Sequence, residues 1–209
     1  MSPRRACVVI ALGLIAHTHT ATAYLDQPSP GLLRYAATRF GPPAPPRILH
    51  WQHERAPSDI GSLGQLAAIN AKANAIPPVS DLEHWQQAEY WATPLEFVAS
   101  NGGDCEDYAI AKYFALRDAG VPSERLRMTY VRALNGSRIE NHMVLAYYAT
   151  PGGEPLILDN LNPRVLPVSE RPDLIPVFSF NDDDVRRDGV PMVRRWKDLR
   201  QRMQSEGEL

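Results

Sequence analysis

The chain turns from a loop into a helix at NGGDCEDYAIAKYFALRDAGVP, residues 101–122. The Asn-Gly-Gly at its start favours a turn, and the residues after Cys105 are good helix formers with apolar side chains at spacings of three and four. Gly120 and the Val-Pro pair that follows it end this pattern. The sequence therefore predicts a helix that carries a cysteine in its first turn.

The predicted position of Cys105 is one that activates a thiol. The unpaired N–H groups and the positive dipole end of a helix N-terminus favour an anion, and the thiolate is the nucleophilic form of cysteine. The glycines just upstream leave room for a substrate backbone to approach. A free cysteine is nevertheless most often a small buried apolar residue, so the local context leaves both interpretations open.

The first 23 residues have the pattern of a secretory signal. Two arginines give a positive start, an apolar run follows, and the small residues Ala-Thr-Ala end at Ala23. We predict an exported protein that is mature from about Tyr24 and does not span the membrane after removal of the signal. Cys7 lies within the signal, so the predicted mature chain keeps one cysteine and has no internal disulfide.

The charge balance argues against one class of partner. The chain has a net charge of −2 at pH 7. Loss of residues 1–23, which hold two arginines and no acid, makes the net charge about −4. A mildly acidic protein lacks the basic surface that nucleic-acid binding requires, so we predict no nucleic-acid partner.

The chain divides into four predicted parts: a signal (1–23), a proline-rich lead-in (24–57), a central domain (58–181) and a charged C-terminal segment (182–209). The lead-in contains Gly-Pro-Pro-Ala-Pro-Pro, and its prolines fix the backbone and remove hydrogen-bond donors. It is therefore expected to be an extended surface arm. In the C-terminal segment, Val193, Trp196 and Leu199 recur at helical spacing, which predicts a helix with one apolar edge on the body.

The predicted secondary structure changes from helices to strands after Gly120. Residues 58–76 have helical spacing, and the Thr-Pro-Leu-Glu at 93–96 is a helix start with a capping box. Four strand-like runs then follow, separated by turns: 126–132, 141–148, 156–158 and 177–180. Helices first and a hairpin-linked sheet afterwards predict an α+β fold with an antiparallel sheet.

A thiolate nucleophile needs a base, and the base needs an orienting group. His142 lies in the second predicted strand, and Asp159 closes the next one, so adjacent antiparallel strands would bring the two side chains into lateral contact. The carboxylate would then fix the imidazole tautomer. The alternatives are a structural strand histidine and a simple turn at Asp159, with Asn160 as a substitute orienter. With Cys105, these residues predict a thiol-triad enzyme.

Four segments stand in a distinctive order and spacing: WATPLE (91–96), GDCEDYAIAKY (103–113), HMVL (142–145) and LDN (158–160). In these segments the chain resembles the bacterial transglutaminase-like cysteine proteinases, the LapG-type periplasmic proteases. The resemblance covers roughly residues 59–162. It implies a papain-like, transglutaminase-like fold with Cys105, His142 and Asp159 as the catalytic triad, and it agrees with export to the periplasm.

The resemblance also implies a calcium-dependent endopeptidase that cleaves the N-terminal region of a large surface adhesin and releases cells from a biofilm. It further implies sequestration by an inner-membrane receptor of the LapD type that senses cyclic di-GMP. Asp104 and Glu106 match the family's calcium-binding acids, and Ca²⁺ prefers several hard oxygen ligands. Asp107 is the next candidate ligand. The alternative is that these acids only stabilise the helix start.

Two other functions are consistent with the same residues. A protein transglutaminase or amidase would use Cys105 on glutamine side chains, and a calcium-dependent binding module would keep the triad-like residues for structure. The N–H of Cys105 is one predicted oxyanion donor. Ala99 stands where papain-type enzymes carry a glutamine as the second donor, and Trp91 is the substitute candidate, with a core aromatic as the alternative interpretation.

Overall fold

The computed structural model describes Leu25 and residues 27–54, 56–186 and 193–209, so the predicted signal at 1–23 lies outside the described residues. Helices occupy the first part of the described chain, and a five-stranded antiparallel sheet occupies most of the second part. This arrangement confirms the predicted α+β class. Within these residues, no helix combines the length and the apolar character that a bilayer crossing needs.

Among the described residues, six helices precede the sheet: α1 Pro30–Phe40, α2 Ala44–His53, α3 Leu63–Asn74, α4 Asp81–Trp85, α5 Pro94–Ser100 and α6 Cys105–Asp118. Serine side chains cap α1, α3 and α4. Thr93 caps α5 and forms the predicted capping box with Glu96. Cys105 is the first residue of α6, with Asp104 at the N-cap, so the cysteine lies at a helix N-terminus as predicted.

The described residues of the segment 24–57, which was predicted to be an extended lead-in, are mostly helical. An extended arm is the wrong prediction for its described residues, which form α1 and α2. Prolines stand at the first positions of both helices, where a missing N–H removes no helical hydrogen bond. Leu32, Ala36 and Ile48 are buried in a core that α5 and α6 share. The proline cluster therefore starts a helix that packs on the domain.

The strands are β1 Leu126–Asn135, β2 Arg138–Tyr147, β3 Leu156–Leu158, β4 Leu166–Pro167 and β5 Leu174–Phe180. They lie in the order β4-β3-β2-β1-β5, and each neighbouring pair is antiparallel. The predicted hairpin joins β1 to β2, which pair from Leu126 with Tyr147 to Asn135 with Arg138. The sequence does not predict β4, because two residues show no alternating pattern.

One edge of β2 is only partly covered, and this determines where the candidate site lies. β3 pairs with Leu145, Ala146 and Tyr147 of β2. Among the described residues, the neighbouring part of β2, which contains His142, has no strand partner on that side. The start of α6 and the chain just after β3 both meet β2 at this open edge.

In the described part of the chain after the sheet, the helices are α7 Asp182–Arg186 and α8 Val193–Gly207. Trp196, Leu199 and Met203 of α8 are buried in the main core beside α6 and the sheet. This confirms the predicted C-terminal helix with an apolar edge on the body. Burial of a tryptophan and two large aliphatic side chains makes α8 an integral part of the fold.

Candidate active site

His142 and Asp159 form a buried pair. Nε2 of the imidazole lies 2.7 Å from Oδ1 of the carboxylate. His142 lies on β2, three residues before Leu145, and Asp159 directly follows Leu158, the β3 partner of Leu145, so the antiparallel pairing brings the two residues close together. Because Nε2 binds Asp159, Nδ1 is the ring nitrogen that is available to accept a proton from a thiol.

Several donors keep Asp159 ionised despite its burial. Oδ1 also accepts from the N–H of Leu161 at 3.0 Å, and Oδ2 accepts from Nη2 of Arg171 at 2.7 Å. Burial raises the pKa of Asp159, but the hydrogen bond and charge of His142, followed by the bonds from Leu161 and Arg171, outweigh it and bring the pKa to about 2. The carboxylate can therefore orient the imidazole and balance its charge.

The thiol of Cys105 lies at the same edge of β2. The backbone N–H of Met143, the residue after His142, donates a hydrogen bond to Sγ. The thiol donates to Oε2 of Glu106 at 3.0 Å. Among the described residues, the hydrogen bonds of the thiol do not include one to His142. The structure thus brings the sulfur to the strand that carries His142 without closing a thiol–imidazole bond.

The acids around Cys105 oppose the formation of a thiolate. Burial raises the pKa of Cys105 well above its ordinary value, and it is the largest cause. The charge and hydrogen bond of Glu106 and the charge of Asp104 raise the pKa further. The bond from Met143 acts in the opposite direction but does not outweigh them. The environment of Cys105 therefore favours the protonated thiol when no cation balances the acids.

Four acidic side chains crowd the start of α6. Asp104 and Glu106 form one group with Cys105, and Asp104 forms a second group with Asp81 and Asp107; within each group the ligand atoms lie within 4.8 Å of one another. Burial and mutual repulsion raise the pKa of Asp104 to about 8 and that of Asp81 to about 6. Buried carboxylates at this density need protons or a cation to balance them.

The donor atoms of this cluster fit a calcium ion. One oxygen of Asp81 and one of Asp104 are buried without a hydrogen-bond partner. Asp107 is less suitable as a ligand, because its oxygens accept from the N–H groups of Ala92 at 2.7 Å and of Asp104 at 3.3 Å. Asp104, Glu106 and Asp81 therefore offer the carboxylate oxygens that a hard divalent cation prefers.

Sequence reasoning missed Asp81, which lies at the start of α4. A parallel bridge between Pro78 and Gly103 brings this segment to the start of α6, and the N–H of Val79 donates to the carbonyl of Gly103 at 2.9 Å. Neither contact has a local sequence pattern. Arg171 was missed for the same reason, since a lone arginine in a polar loop gives no signal.

Trp91, the candidate for a second oxyanion donor, belongs to the main core. Its side chain is 2% exposed and stacks on Phe180 with ring centroids 6.1 Å apart. Its Nε1 is buried without a hydrogen-bond partner. The packing favours the core-aromatic interpretation, and a role in the oxyanion site stays a prediction.

Comparisons with known proteins agree with this geometry. The family model of the bacterial transglutaminase-like cysteine proteinase BTLCP matches residues 49–173. Among solved structures, Legionella pneumophila LapG is 36% identical with a TM-score of 0.66, and the match covers 83% of this chain and 96% of that chain. No curated protein gives a match.

Two further structures of LapG from Legionella pneumophila also match. The calcium-bound form is 36% identical with a TM-score of 0.65, over 82% of this chain and 97% of that chain. The EGTA-treated form is 34% identical with a TM-score of 0.65, over 83% of this chain and 96% of that chain. The matched family region contains Cys105, His142 and Asp159. The chain therefore belongs to the bacterial transglutaminase-like cysteine proteinase family and is a cysteine peptidase.

Proposed function

We propose that this protein is a calcium-dependent periplasmic endopeptidase that cleaves the N-terminal region of a large surface adhesin and so promotes detachment from a biofilm. The observation that carries the proposal is the buried His142–Asp159 pair beside a thiol in the first turn of α6. The likeness to LapG and the resemblance of the sequence support the substrate class. The signal-like residues 1–23 support export.

Each residue of the proposed triad has one role. The thiol of Cys105 transfers its proton to Nδ1 of His142, and the sulfur attacks the carbonyl carbon of the scissile peptide bond. The backbone N–H of Cys105 donates to the oxyanion. His142 then gives the proton to the departing amine, and Asp159 holds the imidazole through Nε2 throughout.

The second half of the reaction regenerates the enzyme. His142 takes a proton from water, and the resulting hydroxide attacks the thioester carbon. The C–S bond breaks, the peptide leaves with a new carboxyl group, and the sulfur of Cys105 recovers the proton from the imidazole. A transglutaminase would instead deliver an amine to the thioester, so the two activities differ in the second nucleophile.

We propose that Asp104, Glu106 and Asp81 hold a calcium ion. When bound, the ion supplies positive charge that offsets the acids around Cys105 and so favours the thiolate. The unpaired oxygens of Asp81 and Asp104 support this ligand set. The calcium-bound LapG structure supports the choice of metal.

We also propose control by an inner-membrane receptor of the LapD type that senses cyclic di-GMP and sequesters the protease. This part of the proposal is supported by family resemblance. A pull-down of the purified protein by the periplasmic part of such a receptor from the same cell tests it, and absence of binding with and without calcium would reject it.

The substrate is tested by incubating the purified protein with the N-terminal part of the resident giant adhesin, in CaCl₂ or in EGTA. We expect one mapped backbone cleavage in calcium and none with Cys105→Ala, while Arg194→Ala, a change of a 95% exposed side chain, cleaves as the wild type does. Cleavage that persists in Cys105→Ala would reject the peptidase mechanism. Incorporation of a labelled amine without backbone cleavage would indicate a transglutaminase.

A further inference from the structure

We propose that Arg171 is a positioning residue, which holds Asp159 in the orientation that lets its carboxylate bind the imidazole of His142. The inference rests on the proposed function, because it assigns a role to Arg171 within the same triad. Arg171 does not contact the thiol; it acts on the reaction through Asp159.

The guanidinium of Arg171 lies between two carboxylates. Nη2 is 2.7 Å from Oδ2 of Asp159 and 2.7 Å from Oδ2 of Asp173, and Nε is 2.9 Å from Oδ1 of Asp173. Arg171 is 3% exposed, whereas the side chain of Asp173 is 41% exposed. Asp173 therefore binds the guanidinium on its solvent side, and the guanidinium in turn binds Oδ2 of the buried Asp159, the oxygen that does not contact His142.

The backbone on both sides of Arg171 is also fixed. Its N–H donates to the carbonyl of Val168 at 3.0 Å, and its own carbonyl accepts from Leu174 at 3.1 Å. The carbonyl of Asp173 accepts from the N–H of Leu134 near the tip of β1 at 2.8 Å. These hydrogen bonds tie the loop to β1 and β5 and so support the position of the Arg171 side chain.

The two oxygens of Asp159 have separate partners. Oδ1 accepts from His142 and from the N–H of Leu161, while Oδ2 accepts from Arg171. If the guanidinium is removed, Oδ2 loses this bond in a buried position, and the carboxylate can turn or take up a proton. Either change weakens the bond to Nε2 and so loosens the imidazole that must face the sulfur.

Lys112 is a further cation whose charge interacts with that of Asp159, and it is a poorer substitute for Arg171. It lies on α6, and burial lowers its pKa to about 7, although the charge of Asp159 opposes this change. The ammonium group is therefore only partly protonated near neutral pH. A guanidinium stays charged at every working pH and presents fixed donors to two carboxylates at once, which gives Arg171 the positioning role.

The test compares Arg171→Ala with the wild type as full chains in calcium. The readout is the rate of alkylation of Cys105 by iodoacetamide at pH 7, followed by peptide mass spectrometry so that Cys7 is scored separately. We expect the rate to fall about 10- to 100-fold, as for other residues that orient a catalytic group. Guanidinium chloride at about 20 mM should restore much of the rate, while uncharged urea at the same concentration should not.

Two further variants keep the test decisive. Arg171→Lys retains a charge but cannot bridge Asp159 and Asp173 in the same way, so it should have an intermediate rate. Arg194→Ala, with a 95% exposed side chain, should alkylate as the wild type does. The melting temperature of each variant is recorded beside its rate, so that a loss of folding is separated from a loss of orientation.

Two results would overturn the proposal. One is a wild-type alkylation rate in Arg171→Ala, and the other is a slow rate that follows a loss of folding and does not respond to guanidinium. The readout needs no adhesin, so it is independent of the substrate assignment. If no adhesin is cleaved but guanidinium restores Cys105 reactivity in Arg171→Ala, the positioning role stands and the proposed substrate falls.

Discussion

Asp159→Asn is a small change that should both inactivate and destabilise the protein. Both oxygens of Asp159 accept hydrogen bonds, Oδ2 from Arg171 and Oδ1 from His142 and the N–H of Leu161. An asparagine has one oxygen and one NH₂ group. In one orientation the NH₂ group faces the guanidinium, and in the other it faces His142 and the N–H of Leu161. Each orientation therefore places donor against donor.

The size of the effect follows from the carboxylate's pKa. Folding lowers the pKa of Asp159 from 3.8 to about 2. Because the pKa is lower in the folded state, the ionised carboxylate stabilises the fold at pH values above 3.8, and this stabilisation is lost as the pH falls through about 2. A difference of about two pKa units corresponds to about 2–3 kcal/mol in the free energy of unfolding. Asp159→Asn also leaves the buried Arg171 without its partner, so we expect a loss of about 3 kcal/mol in the free energy of unfolding. For a chain of this length that corresponds to roughly 6–12 °C in melting temperature.

Thermal unfolding at pH 7 and the alkylation rate of Cys105 measure the two effects. For the unfolding measurement alone, Asp173→Asn is the matched control, since it changes the exposed partner of the same guanidinium and should cost below about 1 kcal/mol. The double variant Asp159→Asn/Arg171→Met removes the unpaired cation and should regain part of the stability while it stays inactive. If Asp159→Asn has the melting temperature and the Cys105 alkylation rate of the wild type, the reasoning is refuted, because the amide would then satisfy both His142 and Arg171.

Three other outcomes are expected. EGTA should abolish cleavage and lower the melting temperature, since calcium at 100 times its Kd adds about 2.7 kcal/mol; an unchanged melting curve would remove the ion from the folded site. Asp81→Asn should weaken calcium binding about 10-fold by titration calorimetry, while the exposed control Asp59→Asn should not; equal affinities would exclude Asp81 as a ligand. Thr93→Ala removes a buried helix cap whose hydroxyl also donates to Glu206 at 2.8 Å, so urea unfolding should show a loss of about 2 kcal/mol in the free energy of unfolding. The exposed control Ser205→Ala should lose below about 0.5 kcal/mol, and an equally small loss in Thr93→Ala would show that the cap adds little stability.

The parts of the structure that depend on local chemistry could be predicted from the sequence. The capping box at Thr93, the cysteine at the start of α6 and the β1–β2 hairpin each follow from a few adjacent residues. His142 and Asp159 were brought together by a simple rule, because strands joined by a short turn pair with each other. From the sequence alone, these features predict a cysteine at a helix start and a histidine and an aspartate on neighbouring strands.

The parts that depend on contacts between distant segments could not be predicted. A proline cluster is compatible with an extended arm or with a helix start, and burial of residues such as Ile48 decides for the helix. Asp81 reaches the acidic cluster through a bridge of Pro78 to Gly103, and Arg171 reaches Asp159 from a loop after β4. The bond from Cys105 to Glu106 also has no sequence signal, since it depends on one rotamer.

The most direct test of the central claim is the alkylation rate of Cys105 in the wild type and in His142→Ala, measured in calcium at pH 7. If the imidazole activates the sulfur, the variant should react about 100-fold more slowly while it is still folded, although loss of the buried partner of Asp159 should lower its melting temperature. Equal rates in two folded proteins would show that His142 does not act on Cys105, and the proposed triad would then be contradicted.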